Sequence, residues 1–240
     1  MKIGVKSYCN KEFLDYFQDK ADFLEIQAIE GNNYDFLKNY NIPIIIHAQH
    51  SFFGINFADI SKKEKNLKSI NFAIKLAEMV NSKKIIQHPG AIENKNCSEE
   101  NSLKLLKEIN DSRIIIENLP EIDKRLCTTP DSIKEFLKNS KQGFCFDLSH
   151  LIVSTNILKL DLIDSIKKCL KLNPKHFHIS GQKLKSKVDQ HLSIQEGDID
   201  FKKILRLYPR DAEITLEVSR DINQTERDLE KIRKILEKIN

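Results

Sequence analysis

The chain has 240 residues, 40% of them hydrophobic, enough to bury one core of ordinary size and too few for a second sizeable unit, so a single domain over 1–240 is expected. Its formal net charge of +4 permits contact with phosphates but is too small to demonstrate it, so local charge placement must decide the partner. Five cysteines, Cys9, Cys97, Cys127, Cys145 and Cys169, are odd in number and form no C-x-x-C pair, which suits reduced thiols in a reducing compartment. Neither a signal peptide nor a membrane span is indicated, and a cytoplasmic location is expected.

In chain order, apolar runs at 3–6, 23–26, 42–47, 84–88, 113–117, 144–147, 176–178 and 213–217 read as strands. Apolar residues at helical spacing between them predict helices at 11–18, 34–39, around 70–80, around 103–109, and at 130–139, 157–172, 201–208 and 224–239. Pro130 followed by Asp131 and Ser132 suits a first helical turn, because proline there gives up no needed donor. Alternation sustained through eight units predicts an α/β fold, a single (β/α)8 TIM barrel. The competing open doubly wound sheet fits less well. Ligand-type residues here end strands drawn from nearly the whole chain, and neither G-x-G-x-x-G after the first strand nor G-x-x-x-x-G-K-S/T occurs.

Six of the strands end on His or a carboxylate, namely His47, His88, Glu117, Asp147, His178 and Glu217. In a parallel barrel these ends share one rim, so the six side chains are expected in one pocket. Acids and imidazoles at the ends of buried strands must be satisfied, and neighbours of the same kind repel unless a cation holds them. Asp147-x-x-His150 adds an imidazole three residues past a strand end, and Asp189-x-His191 places two donors on one side of an extended segment. Together His150, Asp189 and His191 make a three-ligand set of mixed N and O donors with an open position. Such donors suit Zn, Mn or Fe. His176 reads as an interior polar group, Glu25 as a structural rim carboxylate, and His50 stays unassigned.

With these residues in hand, the sequence resembles the xylose-isomerase-like barrel superfamily and, within it, most closely endonuclease IV, the apurinic/apyrimidinic endonuclease family 2. The most specific piece is the stretch 188–199, in which Asp189-Gln190-His191 is followed by Ser193-Ile194-Gln195-Glu196-Gly197. His88-Pro89-Gly90, Ile116-Glu117-Asn118, Asp147-x-x-His150 and Leu216-Glu217 match the family's other motifs in order. The resemblance implies a zinc-dependent hydrolase with up to three ions. His47, His88 and Glu117 would hold the first, Glu117 with Asp147, His178 and Glu217 the second, and His150, Asp189 and His191 the third.

It further implies cleavage of a phosphodiester at abasic sites in DNA, as in base excision repair, with Glu117 as the catalytic residue that orients or deprotonates the attacking water. In the loops, Phe52 and Phe53 either wedge into a base stack or cap the barrel, and Lys183, Lys185 and Lys187, with Arg125 and Arg220, bring positive charge near the rim that would contact phosphates or stay solvated. Departures from the family pattern are the short chain, Asn118 leading into Leu119-Pro120 without a Gly-rich turn, and Ile179-Ser180-Gly181 after His178 where an Asn-Asp pair is usual. The alternative is a sugar or sugar-phosphate isomerase or epimerase of the same superfamily, with one metal on Glu117, Asp147, His178 and Glu217. A monomer is expected.

Overall fold

A strand buried on both faces must send alternate side chains to two different apolar environments, and these sequences do so with near-continuous runs of Ile, Val, Leu and Phe. The computed structural model describes residues 1–239. Its strands are β1 (Lys2–Ser7), β2 (Phe23–Gln27), β3 (Ile44–His47), β4 (Ile85–Gln87), β5 (Ile114–Glu117), β6 (Gly143–Asp147), β7 (His176–Ile179) and β8 (Glu213–Leu216). All pair in parallel with their sequence neighbours, and β8 returns to β1, so the sheet closes into an eight-stranded (β/α)8 barrel.

Two apolar clusters mark the two faces of the sheet. The larger gathers Leu24, Ile26, Ile46, Ile116, Phe146 and Phe177 with helix residues such as Phe13, Ile70, Leu106 and Ile133, and is the layer between strands and helices. The smaller, Phe23, Ile45, Ile86, Ile115 and Cys145, therefore lies inside the barrel. Two residues further along each of those strands stand Glu25, His47, His88, Glu117 and Asp147. The same step of two leads from His176 to His178, from Thr215 to Glu217 and from Gly4 to Lys6. An apolar floor inside the barrel thus carries a polar layer directly above it.

Gly4 makes room in that floor. A Cβ placed there would lie 2.2 Å from a ring carbon of Phe23, so the ring takes the space that a side chain on β1 would fill.

The helices are α1 (Lys11–Phe17), α2 (Lys63–Met79), α3 (Glu99–Ile109), α4 (Pro130–Ser140), α5 (Leu148–Leu158), α6 (Leu162–Leu170), α7 (Phe201–Leu205) and α8 (Ile222–Glu237). Side chains of Asn10, Ser98, Thr129, Asp147, Asp161, Asp200 and Asp221 cap seven of their N-termini. Two expectations are corrected. The helix expected at 157–172 breaks where Lys159 adopts a left-handed conformation at φ 57°: its first two residues end α5, a helix the sequence did not announce, and the rest is α6. α5 begins directly after Asp147, and residues 148–155 are buried on every side, so they show no helical period to read. The helix expected at 34–39 is a 3-10 turn, Asp35–Asn39. No helix among the described residues is long and apolar enough to cross a membrane.

Gly4→Ala should cost about 1–3 kcal/mol of stability through the clash with Phe23. Calorimetric melts should show a smaller loss when the same change is made in a Phe23→Leu background; an equal loss in both backgrounds would separate Gly4 from the ring.

Candidate metal centre

Each polar side chain of the upper layer is aimed by its strand and then fixed by a hydrogen bond. His47 on β3 donates Nδ1–H to the Ala48 carbonyl at 2.8 Å, leaving Nε2 facing Glu117 Oε2 at 3.1 Å. His88, just past β4, brings Nε2 to 3.0 Å from that same oxygen. The Asn118 amide clamps the Asp147 backbone in both directions, accepting its N–H at 2.8 Å and donating to its carbonyl at 2.9 Å. Asp147 Oδ1 then accepts the His150 N–H at 2.7 Å as the cap of α5, so the turn that starts the helix also delivers His150 to the rim. His178 places Nδ1 3.3 Å from Glu117 Oε1 and 3.1 Å from Glu217 Oε1.

Asp189 and His191 arrive from outside the barrel. After β7 the chain forms a loop closed at its base by paired main-chain bonds between Gly181 and Leu192, each 2.8 Å. A Cβ on Gly181 would stand 1.8 Å from the Ser193 carbonyl oxygen, so only glycine permits this approach. Next to that base His191, at φ 44°, brings Nε2 to 2.9 Å from Asp189 Oδ2, and His150 Nε2 reaches the same oxygen at 3.2 Å. His150 and His191 donate Nδ1–H to the carbonyls of Asn118 and Glu217, at 2.7 and 3.1 Å.

The nine residues singled out in the sequence fall into three groups. His47, His88 and Glu117; Glu117, Asp147, His178 and Glu217; and His150, Asp189 and His191 each offer ligand atoms lying within 4.8 Å of one another. Glu117 belongs to two of them. Three observations fit these groups to divalent cations. The Nδ1–H of His47, His150 and His191 is spent on main-chain carbonyls, so each Nε2 lone pair faces a carboxylate oxygen, an acceptor against an acceptor. The buried Oδ1 of Asp189 has no hydrogen-bond partner. Mixed imidazole and carboxylate donors are the set that zinc, manganese and iron take.

The electrostatics follow from the crowding. Burial opposes charge on Glu117, but His178 and His88 hold its carboxyl well below the usual range. Burial pushes Asp147 up to about 6 against the pull of His150, with Glu117 and Glu217 adding to the push. Glu217 is held down to about 2, burial being outweighed by Lys6 and His178. His88 is lowered by burial to about 4. His150 runs the other way: burial is overcome by Asp147, Asp189 and Glu117, which raise it to about 10.

Lys6 and Glu25 are the residues that sequence reading undervalued. The Lys6 ammonium donates to Glu217 Oε1 and lies 3.5 Å from Glu25 Oε1, while Glu25, expected as a structural rim carboxylate, is fully buried inside the barrel. The available signal was positional: a charged residue two places beyond an inward-facing one on each of two adjacent strands. His176 is also interior, with Nε2 2.7 Å from Thr215 Oγ1, and His50 stacks on His88 at 4.8 Å.

Above the centre opens a cavity of about 890 Å³, lined at its mouth by Tyr8, His50, Phe52, Phe53, Arg125 and Arg220. Phe52 is 81% exposed, and the Arg220 guanidinium lies 3.8 Å over the Tyr8 ring. Lys183, Lys185 and Lys187 are exposed on the loop that carries Asp189 and do not line this cavity.

Residues 34–238 match the Xylose isomerase-like TIM barrel family. An uncharacterized protein of Methanocaldococcus jannaschii is 25% identical over 84% of this chain and 85% of its own length. The crystal structure of a D-tagatose 3-epimerase-like protein has a TM-score of 0.82 and 23% identity, covering 100% of this chain and 98% of that one. Endonuclease IV from Thermus thermophilus has a TM-score of 0.77 and 18% identity, covering 99% of this chain and 100% of that one. At such identities both structural likenesses are likenesses of fold.

Because the folded protein raises His150 from 6.5 to about 10, its proton stabilises the fold fully below 6.5, and that contribution is lost as pH rises through about 10. His191 adds less, since its side chain is 38% exposed and screened. In EDTA the melting temperature should therefore fall from about pH 7 to about pH 10. Saturating zinc should flatten that fall by replacing the proton; the same slope with and without zinc would count against cation binding at His150.

Proposed function

Because this chain belongs to the Xylose isomerase-like TIM barrel family through residues 34–238, we propose that it is an enzyme of that family, a metal-dependent phosphodiesterase resembling endonuclease IV that incises DNA at abasic sites in base excision repair. Zinc, up to three ions, is the proposed cofactor, with manganese or iron as alternatives, on the nine residues of the three donor groups. The observation that carries this reading is the convergence of His150, Asp189 and His191 on one point beside the Glu117 groups. A sugar isomerase would use the quartet of Glu117, Asp147, His178 and Glu217 and would leave the other five donors without a task.

Bound cations would supply an acidified water and neutralise charge on phosphoryl oxygens. The chain's own groups do the rest. Glu117, with both oxygens facing imidazoles, would orient the water or take its proton. Arg220, braced on Tyr8, and Arg125 across the mouth supply positive charge where flanking phosphates would pass. Phe53 packs edge-on against Tyr8 at 6.4 Å and supports the exposed Phe52, a fit shape for a wedge that holds a duplex open at a missing base. Lys183, Lys185 and Lys187 would meet the backbone beyond the cavity.

The second reading, a single-metal sugar or sugar-phosphate isomerase or epimerase, is favoured by the higher TM-score, 0.82, toward the D-tagatose 3-epimerase-like protein. Zinc-loaded protein should cut a duplex carrying one abasic analogue and leave a panel of ketoses unchanged; turnover of a sugar without incision would overturn the nuclease. Elemental analysis should find about three ions per chain, where an isomerase would hold about one. Glu117→Gln should lower incision by roughly 100-fold or more while the melting curve stays close to that of the parent; retained incision would remove Glu117 from the catalytic role.

A further inference from the structure

His178 differs from the other histidines of the centre in the direction it is held. His47, His150 and His191 spend Nδ1 on main-chain carbonyls and present Nε2. His178 presents Nδ1 to Glu117 and Glu217, and its Nε2 lies 3.0 Å from Glu25 Oε2, a carboxylate delivered from β2. That oxygen is itself pinned. Thr215 Oγ1 donates to it at 2.7 Å, and His176 Nε2 stands 3.3 Å away. Lys6, the register partner of Glu25 on β1, faces the other carboxylate oxygen at 3.5 Å.

Every one of Glu25, His176, His178 and Thr215 is fully buried. A carboxylate placed there is costly, and the apolar floor one step below shows that the barrel interior can be filled with Phe, Ile and Cys. The network therefore stands where a hydrophobic layer would have served stability as well. What it provides instead is an imidazole with its Nε2–H anchored and its Nδ1 lone pair fixed on the acids above.

We propose that Glu25 is a positioning residue for the metal centre, fixing the tautomer and direction of His178 through Nε2, with Thr215 and Lys6 holding the carboxylate in place. The proposal rests on the reading of His178 as a metal ligand. A negative charge behind the imidazole makes Nδ1 a stronger donor, so loss of that charge weakens the centre without removing any ligand.

Glu25→Gln keeps the shape and one acceptor oxygen and removes the charge. In the full chain, competition against a chromophoric chelator should show zinc held about 10–100-fold more weakly by this variant than by the parent. The visible absorption of the cobalt-substituted protein should shift as well. A merely structural role predicts a lower melting temperature with unchanged zinc affinity and an unchanged cobalt spectrum, and that result would overturn the proposal. Thr215→Val, which removes the hydroxyl donor alone, should give a smaller loss in the same direction. Should Glu25→Gln fail to fold, undiminished affinity in Thr215→Val would overturn the proposal by itself. A parent chain that binds no zinc would instead sink the metal reading, and this inference with it.

Discussion

The polar interior of this barrel is organised by a shortage of positive charge. Glu25, Glu117, Asp147 and Glu217 are buried within one small volume, and Lys6 is the ammonium placed among them. The imidazoles of His47 and His150 cannot settle the difference while neutral, because their N–H groups are committed to main-chain carbonyls and their lone pairs meet oxygen lone pairs. Protons or cations must occupy those contacts. The raised His150 and Asp147 and the depressed Glu117 all express this one imbalance, resolved differently at each group according to its neighbours.

Division of labour along each strand makes that concentration of charge tolerable. The odd and even positions of β2, β3 and β5 feed separate apolar layers, so the fold is secured by Ile, Leu and Phe before any polar residue contributes. Most of the acids and imidazoles sit toward the carboxyl ends of the strands, where the cavity begins, and His176 lies one inward step deeper. Stability and chemistry are thus read from different residues of the same short segment, as is usual at the carboxyl face of such barrels.

Much of this was legible in the sequence because it is a pattern of period two. A run such as Ile44-Ile45-Ile46-His47 declares both a buried strand and the group at its mouth, and strand boundaries fell within a residue or two. The helix that follows Asp147 was illegible for the opposite reason: Leu148-Ser149-His150-Leu151-Ile152-Val153 is buried all round and has no polar face. Lys6 escaped notice and Glu25 was undervalued because a lone charge at a strand end is ambiguous, and their pairing depends on the register between β1 and β2, which no single segment reveals. The loop bearing Asp189 and His191 was legible as chemistry through its spacing, and illegible as shape, since its closure hangs on the contact between Gly181 and Ser193.

That closure has an evolutionary side. Asp189 and His191 ride on a loop closed by the bridge between Gly181 and Leu192 and tied back to α5 by Asn156, which donates to the carbonyls of Leu184 and Ser186, whereas six of their seven companions are built into strand ends. A lineage could erode or rebuild the loop while leaving the sheet untouched, trading one reaction for another at little risk to folding. Divergence within such barrels is then easiest in this loop.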